Sequence, residues 1–146
     1  MSSSQFLTFV VGPHLFGLEV HSVQEVIRYQ PMTRVPLAPA SVGGLINLRG
    51  QVITAVDLRQ RLDLPARADD ELPMNVVVRT DDGAVSLLVD SIGPVLEARD
   101  SDFEAPPETL VGPTRQVIRG AYKRNDRLLL AVDVRKAIEI MLTPAA

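Results

Sequence analysis

The stretch Gly44-Leu45-Ile46-Asn47-Leu48-Arg49-Gly50-Gln51-Val52-Ile53-Thr54-Ala55-Val56-Asp57-Leu58-Arg59 decides the fold class. Residues 45–48 and 52–56 are β-rich runs, and the polar Arg49-Gly50-Gln51 between them reads as the turn of a hairpin. Asp57 then precedes Leu58-Arg59-Gln60. An acidic N-cap with Gln three residues on predicts a short helix.

Working outward, the same units recur. Residues 6–11 form a strand candidate closed by Gly12-Pro13, and residues 15–20 alternate after that turn. Val20, Val23 and Ile27 fall at spacings of three and four, which suits a short helical turn or a bent strand equally. Residues 29–43, with Pro31, Pro36 and Pro39, read as a loop, and the polar residues 63–73, with Pro65 and Pro73, as a linker. Beyond it, residues 76–79 and 85–89 flank the turn Asp81-Asp82-Gly83. Residues 97–114 read as a proline-bearing loop, and residues 116–122 and 128–132 as a last hairpin. Asp133 is placed to cap a C-terminal helix over 134–142, with Val134, Ala137, Ile138 and Met141 on its apolar stripe.

The two halves can be superposed. Leu18-Glu19-Val20-His21-Ser22-Val23 matches Leu87-Leu88-Val89-Asp90-Ser91-Ile92 at an offset of 69. Arg49-Gly50 matches Arg119-Gly120 at 70, and Ala55-Val56-Asp57-Leu58-Arg59 matches Ala131-Val132-Asp133-Val134-Arg135 at 76. An internal duplication of a small β unit follows. A unit of roughly 65–70 residues supplies few kcal/mol alone, so the two are expected to pack together.

Composition narrows the function. The 146 residues carry a net charge of −3, 4% aromatic residues and no Trp, which argues against a nucleic-acid footprint or a base-stacking platform. The chain has no Cys, which excludes disulfides, thiolate metal sites and a Cys nucleophile. No secretory signal and no apolar run of about 18 residues is present, so the cytoplasm is the expected location. His14 and His21 sit in no recognisable catalytic string, and HExxH, GxSxG, GxGxxG and GxxxxGK[ST] are all missing. Asp57 and Asp133 recur in both halves, but each stands where a helix begins and reads as a cap rather than an acid–base pair. No catalytic residue, cofactor or metal site is expected.

The string over residues 44–59 closely resembles the signature of the CheW family of chemotaxis coupling proteins. Phe16-Gly17-Leu18-Glu19-Val20, Val23-Gln24-Glu25-Val26-Ile27 and Leu88-Val89-Asp90-Ser91-Ile92 look like further segments of that family, so the resemblance spans about residues 5–142. It implies a mainly β fold of two SH3-like five-stranded barrels with short helices. Within a single domain at 5–142, subdomain 1 is expected at about 5–68 and subdomain 2 at about 74–142. It also implies a non-enzymatic adaptor that links the cytoplasmic tip of chemoreceptors to the regulatory domain of a CheA-type histidine kinase. Such a protein would reach membrane receptor arrays through its partners, without inserting itself. A related scaffold in a pili, gliding or second-messenger pathway is the nearest rival, and a small-molecule or nucleic-acid binding barrel a more distant one.

Arg49 and Gly50 match the family string directly and are the first partner-binding candidates. Gly50 also suits a turn that needs positive φ. Arg49 is expected to pair with a carboxylate, with Glu25 as the candidate. Val23, Ile27, Ile92 and Val95 are apolar positions about the expected groove between barrels, either as core or facing a receptor.

Overall fold

The computed structural model describes residues 2–124 and 127–139. Eleven strands are found among them: β1 (Ser3–Val11), β2 (His14–Glu19), β3 (Val23–Ile27), β4 (Val42–Leu48), β5 (Gln51–Asp57), β6 (Met74–Thr80), β7 (Gly83–Val89), β8 (Ser91–Arg99), β9 (Phe103–Glu104), β10 (Ile118–Arg124) and β11 (Arg127–Val132). Short helices α1 (Leu58–Arg61), α2 (Pro113–Gln116) and α3 (Val134–Ile138) punctuate them. The segment from Val20 answers both sequence readings, because a 3-10 turn over Val20–Ser22 leads directly into β3. The expected loop 97–114 is more ordered than its prolines suggested. β8 runs to Arg99, β9 follows another 3-10 turn, and Pro113 opens α2, where its missing N–H costs nothing. Residues 140–142 of the expected C-terminal helix, Met141 included, lie outside the described residues.

One sheet has the order β8-β1-β2-β11-β10-β9 and the other β3-β6-β7-β5-β4. The first has six strands rather than the five expected, because β8 and β9 are two parts of one bent path. The chain leaves the edge at β8, makes the three-residue turn Asp100–Asp102, and re-enters at the opposite edge to pair with β10. In the second sheet, a single bridge from Thr33 to Leu45 on β4 takes the place of β9.

The boundary expected at 68–74 does not separate the sheets. β1 and β2 pair with β8 and β11, while β6 and β7 pair with β3 and β5. Each half thus donates its leading hairpin to the sheet of the other. Register shows that the exchange is symmetric. Gly17 lies opposite Ala131 across the parallel β2–β11 pair, and Ser86 opposite Ala55 across the parallel β7–β5 pair. Those partners stand at the 69 and 76 offsets of the repeat.

The Arg-Gly match is corrected by the same register. Arg49-Gly50 is a turn, whereas Arg119-Gly120 lies within β10, and it is Gly44 that corresponds to Gly120, at 76. Both glycines lie where another segment crosses the strand. A Cβ on Gly44 would stand 2.8 Å from the Thr33 carbonyl oxygen, and one on Gly120 would stand 2.8 Å from that of Glu104 and strike the Phe103 ring.

Among the described residues, three apolar clusters hold the structure. The largest lies between the sheets and draws Phe9, Phe16, Val56, Leu87, Leu130 and Val132 from both halves. Phe6, Tyr122 and Leu129 fill the interior of the six-stranded sheet, and Ile46, Ile53 and Val77 that of the other. The interiors solve one equivalent position differently. Phe6 packs closely over Gly17, where a Cβ would come 3.2 Å from that of Phe6 and 3.0 Å from Leu129 Cδ1. At the matching positions, Ser86 Oγ donates to Asn75 Oδ1 at 2.7 Å, and Asn75 Nδ2 donates to the Arg28 carbonyl at 3.1 Å. The buried polar pair is thereby satisfied.

Candidate partner-binding site

The hairpin that opened the sequence reading is built around a two-residue turn. Leu48 pairs with Gln51, leaving Arg49 and Gly50 at φ of 51° and 85°. Two positive φ values make a type I′ turn, whose twist matches the flanking strands. Gly50 takes this conformation freely, and its N–H donates to Asn47 Oδ1 at 2.9 Å. Arg49 does not, since a left-handed backbone costs an ordinary L-residue on the order of 1–2 kcal/mol. A turn that favours Asn or Gly therefore carries a strained Arg, and strain of this kind points to a role for the side chain.

That side chain reaches across the barrel seam. The Arg49 guanidinium pairs with the Glu25 carboxylate on β3, as the sequence reading expected. β3 and β4 are the two edges of their sheet, so the ion pair bridges the gap between them. The hydrogen bond from Arg49 holds the Glu25 carboxyl below its ordinary range, and the same bond raises Arg49. The Arg49 side chain remains 69% exposed, so the pair contributes little to folding and its outer face is open.

The other expected residues divide. Val23 and Ile92, equivalent at an offset of 69, are half-buried and pack against the central core from their two sheets. Ile27 is half-buried against the interior of its own sheet, on the same strand as Glu25. Val95 lies opposite Leu7 on β8 and is 52% exposed, the one of the four that faces solvent freely. Thus Arg49, Gly50, Glu25 and Ile27 belong to one sheet, while Ile92 and Val95 lie on the equivalent strand of the other.

Val52 was missed. It stands next to the turn, opposite Asn47, and is 65% exposed, so an aliphatic surface adjoins the Arg49 guanidinium. The signal was present in the alternation of β5: with Ile53 and Ala55 inward, Val52 must point out.

A second polar cluster holds the linker in place. Arg59 grips Asp90 through two hydrogen bonds, at 2.9 and 2.7 Å, and donates to the Pro65 carbonyl at 2.7 Å. Arg67, nearly buried, ion-pairs with Asp57 at 3.0 Å and with Asp90 at 2.9 Å. The Gly12 N–H also donates to Asp90, at 2.7 Å. Asp57 meanwhile caps α1 by accepting from the Arg59 N–H at 3.0 Å, and Asp133 caps α3 by accepting from that of Lys136 at 3.2 Å. Both repeated aspartates are thus engaged as caps.

Comparison with known proteins accords with this architecture. The family model of the CheW-like domain matches residues 5–140. The chain belongs to the CheW-like family. A chemotaxis protein CheW of Rhizobium meliloti is 31% identical over 130 residues, covering 89% of this chain and 84% of that protein. The CheW proteins of Treponema pallidum and Bacillus subtilis are each 28% identical, covering 90% and 94% of this chain and 80% and 88% of their own lengths. The scaffolding protein TtCheW of Thermoanaerobacter tengcongensis has the same fold, with a TM-score of 0.84 at 24% identity over 94% of both chains. On this CheW-like fold the string Asn47-Leu48-Arg49-Gly50 forms the β4–β5 turn and the residues leading into it. Among the described residues, no helix is long and apolar enough to cross a membrane.

Proposed function

We propose that this chain is a non-enzymatic adaptor that couples the cytoplasmic tips of chemoreceptors to the regulatory domain of a CheA-type histidine kinase. One observation carries the reading to particular residues: a strained, solvent-facing Arg49 held by Glu25 beside exposed Val52. A guanidinium fixed by one carboxylate is already oriented for a second acceptor, and an adjoining aliphatic surface gives a partner something to bury. A stable contact of this class buries about 1,200–2,000 Å² in total, with a few anchors supplying most of the energy. Recruitment to receptor arrays at the membrane would then run through these partners.

Two variants of Arg49 test the reading. Arg49→Asn keeps the type I′ turn, since Asn tolerates left-handed backbone, but removes the guanidinium. Arg49→Glu reverses its charge. Both are expected to retain the circular dichroism and melting temperature of the parent while weakening binding to the purified kinase regulatory domain by about tenfold or more, measured calorimetrically. Unfolding of both variants would make Arg49 a structural residue. Unchanged binding would remove it from the interface.

A further inference from the structure

β8 and β3, equivalent edge strands of the two sheets, each carry a bulge. Leu7 pairs with Val95 and Phe9 with Ile92, so Thr8 alone faces both Gly93 and Pro94. In the other sheet Val76 pairs with Val26 and Val78 with Val23, so Val77 faces Glu25 and Gln24 is the extra residue. These positions correspond at the repeat offset of 69. A bulge bends its strand and re-aims the side chains beside it. In each sheet the residue just past the bulge is an exposed valine, Val26 in one and Val95 in the other.

The two bulges are fastened differently. The first is gripped from outside, where Arg49 pairs with Glu25. The second has Pro94 in place of Glu25, and a proline side chain offers no such grip. It is held from within instead. Thr8 is fully buried, and its hydroxyl donates to the Pro94 carbonyl at 2.6 Å. Gly93 leaves the room for this, since a Cβ there would stand 2.5 Å from Thr8 Oγ1. Pro94 has no N–H to lose, which a bulge tolerates. Packing alone does not call for the hydroxyl, because Val77, of the same branched shape, is buried at the equivalent position. What the hydroxyl adds is a fixed path for β8 at the residue just before Val95.

We propose that Thr8 is a positioning residue, whose buried hydroxyl holds the β8 bulge so that Val95 is presented to the chemoreceptor tip. This rests on the adaptor reading above. It gives the receptor Val95, the one of the four apolar candidates that faces solvent freely, and leaves the kinase contact with the Arg49 turn on the other sheet. A surface already held in its bound form loses less freedom on docking, so a residue that touches no partner can set affinity.

Two substitutions in the full chain separate the hydrogen bond from the packing. Thr8→Val keeps the branched shape and removes the donor; Thr8→Ser keeps the donor and removes the methyl group. Affinity for a purified chemoreceptor signalling fragment is measured calorimetrically, and amide exchange of β8 is followed in the free protein. Thr8→Val should weaken receptor binding about fivefold or more and speed exchange in β8 relative to β7. Thr8→Ser should stay within about twofold of wild type in both. Both variants should bind the kinase regulatory domain as wild type does. A Thr8→Val protein that binds the receptor fragment normally, or whose β8 exchanges as before, overturns the proposal. So does a Thr8→Ser protein weakened as much as Thr8→Val, because the methyl group would then be what matters. Equal losses toward receptor and kinase would mark a general loosening of the fold and overturn it too. A wild-type chain that does not bind the receptor fragment contradicts the adaptor reading itself, and the assignment of Val95 to the receptor falls with it.

Discussion

Replacing Phe16 with Ala is expected to destabilise both sheets together, by about 3–5 kcal/mol. Phe16 is fully buried on β2 and stacks on Phe9 at 5.7 Å between ring centroids. It belongs to the cluster shared by the sheets, whose members include Val56 and Leu87 from one and Leu130 and Val132 from the other. Removing the ring leaves a cavity that neither sheet can close alone. Since a domain of this size has roughly 5–15 kcal/mol of stability in all, the loss is large. The exchanged hairpins also predict its form. The amide protons of β7 and β11, which are core strands of different sheets, should exchange through openings of the same free energy, lowered equally in the variant. If only β11 loses protection, the halves unfold independently and the shared core is not what joins them.

Asp90→Ala should cost about 3 kcal/mol, at the low end of the range for breaking a buried pair because the cluster retains some solvent access. The aspartate accepts from Arg59 and from the Gly12 N–H and ion-pairs with Arg67, so its loss leaves two guanidinium groups facing each other. The linker from Leu64 to Pro73 should loosen first, and proteolytic cleavage there would report it. Acid should act through the same group. Burial pushes the Asp90 carboxyl up, but hydrogen bonds from Arg59 and Gly12, with the charges of Arg67 and Arg59, outweigh it and hold the group below its ordinary range. A depressed folded value means that the stabilisation is present above the unfolded value, near about pH 4, and is lost as pH falls through the folded one. Urea denaturation of wild type and Asp90→Asn should therefore differ at pH 7 and converge toward pH 3. An equal gap at both pH values would mean that the Asp90 charge is not what stabilises the linker.

Much of this architecture was legible because hairpins and caps are local. The alternation of residues 52–56 and the pairing of Asp57 and Asp133 with helix starts required only neighbours in sequence, and both helices begin where the aspartates placed them. The exchange of hairpins was not legible. β1–β2 and β6–β7 have the same pattern, and nothing in a strand states which distant edge it will join; the parallel pairings of β2 with β11 and β5 with β7 decide that. The two-residue Arg-Gly identity also misled the alignment, because one copy lies in a turn and the other in a strand. Close crossings by Thr33 and Glu104, invisible in sequence, are what make Gly44 and Gly120 the true equivalents.

Of the candidate site, one contact was legible. Arg49 and Glu25 could be paired from the family resemblance and opposite charge, and they meet. The strain at Arg49 could not be foreseen, since it depends on a turn of only two residues. Nor could the Arg59–Asp90–Arg67 cluster, whose members are brought together by the linker folding back over the first hairpin.

The most direct test of the adaptor reading is reconstitution. Purified protein would be combined with a CheA-type kinase and a chemoreceptor signalling fragment from the same organism, and kinase autophosphorylation followed with and without it. Receptor-dependent change in kinase activity that requires this protein, and that is lost with Arg49→Glu, is the predicted result. Kinase activity indifferent to the protein, with no co-sedimentation of the three components, would contradict it.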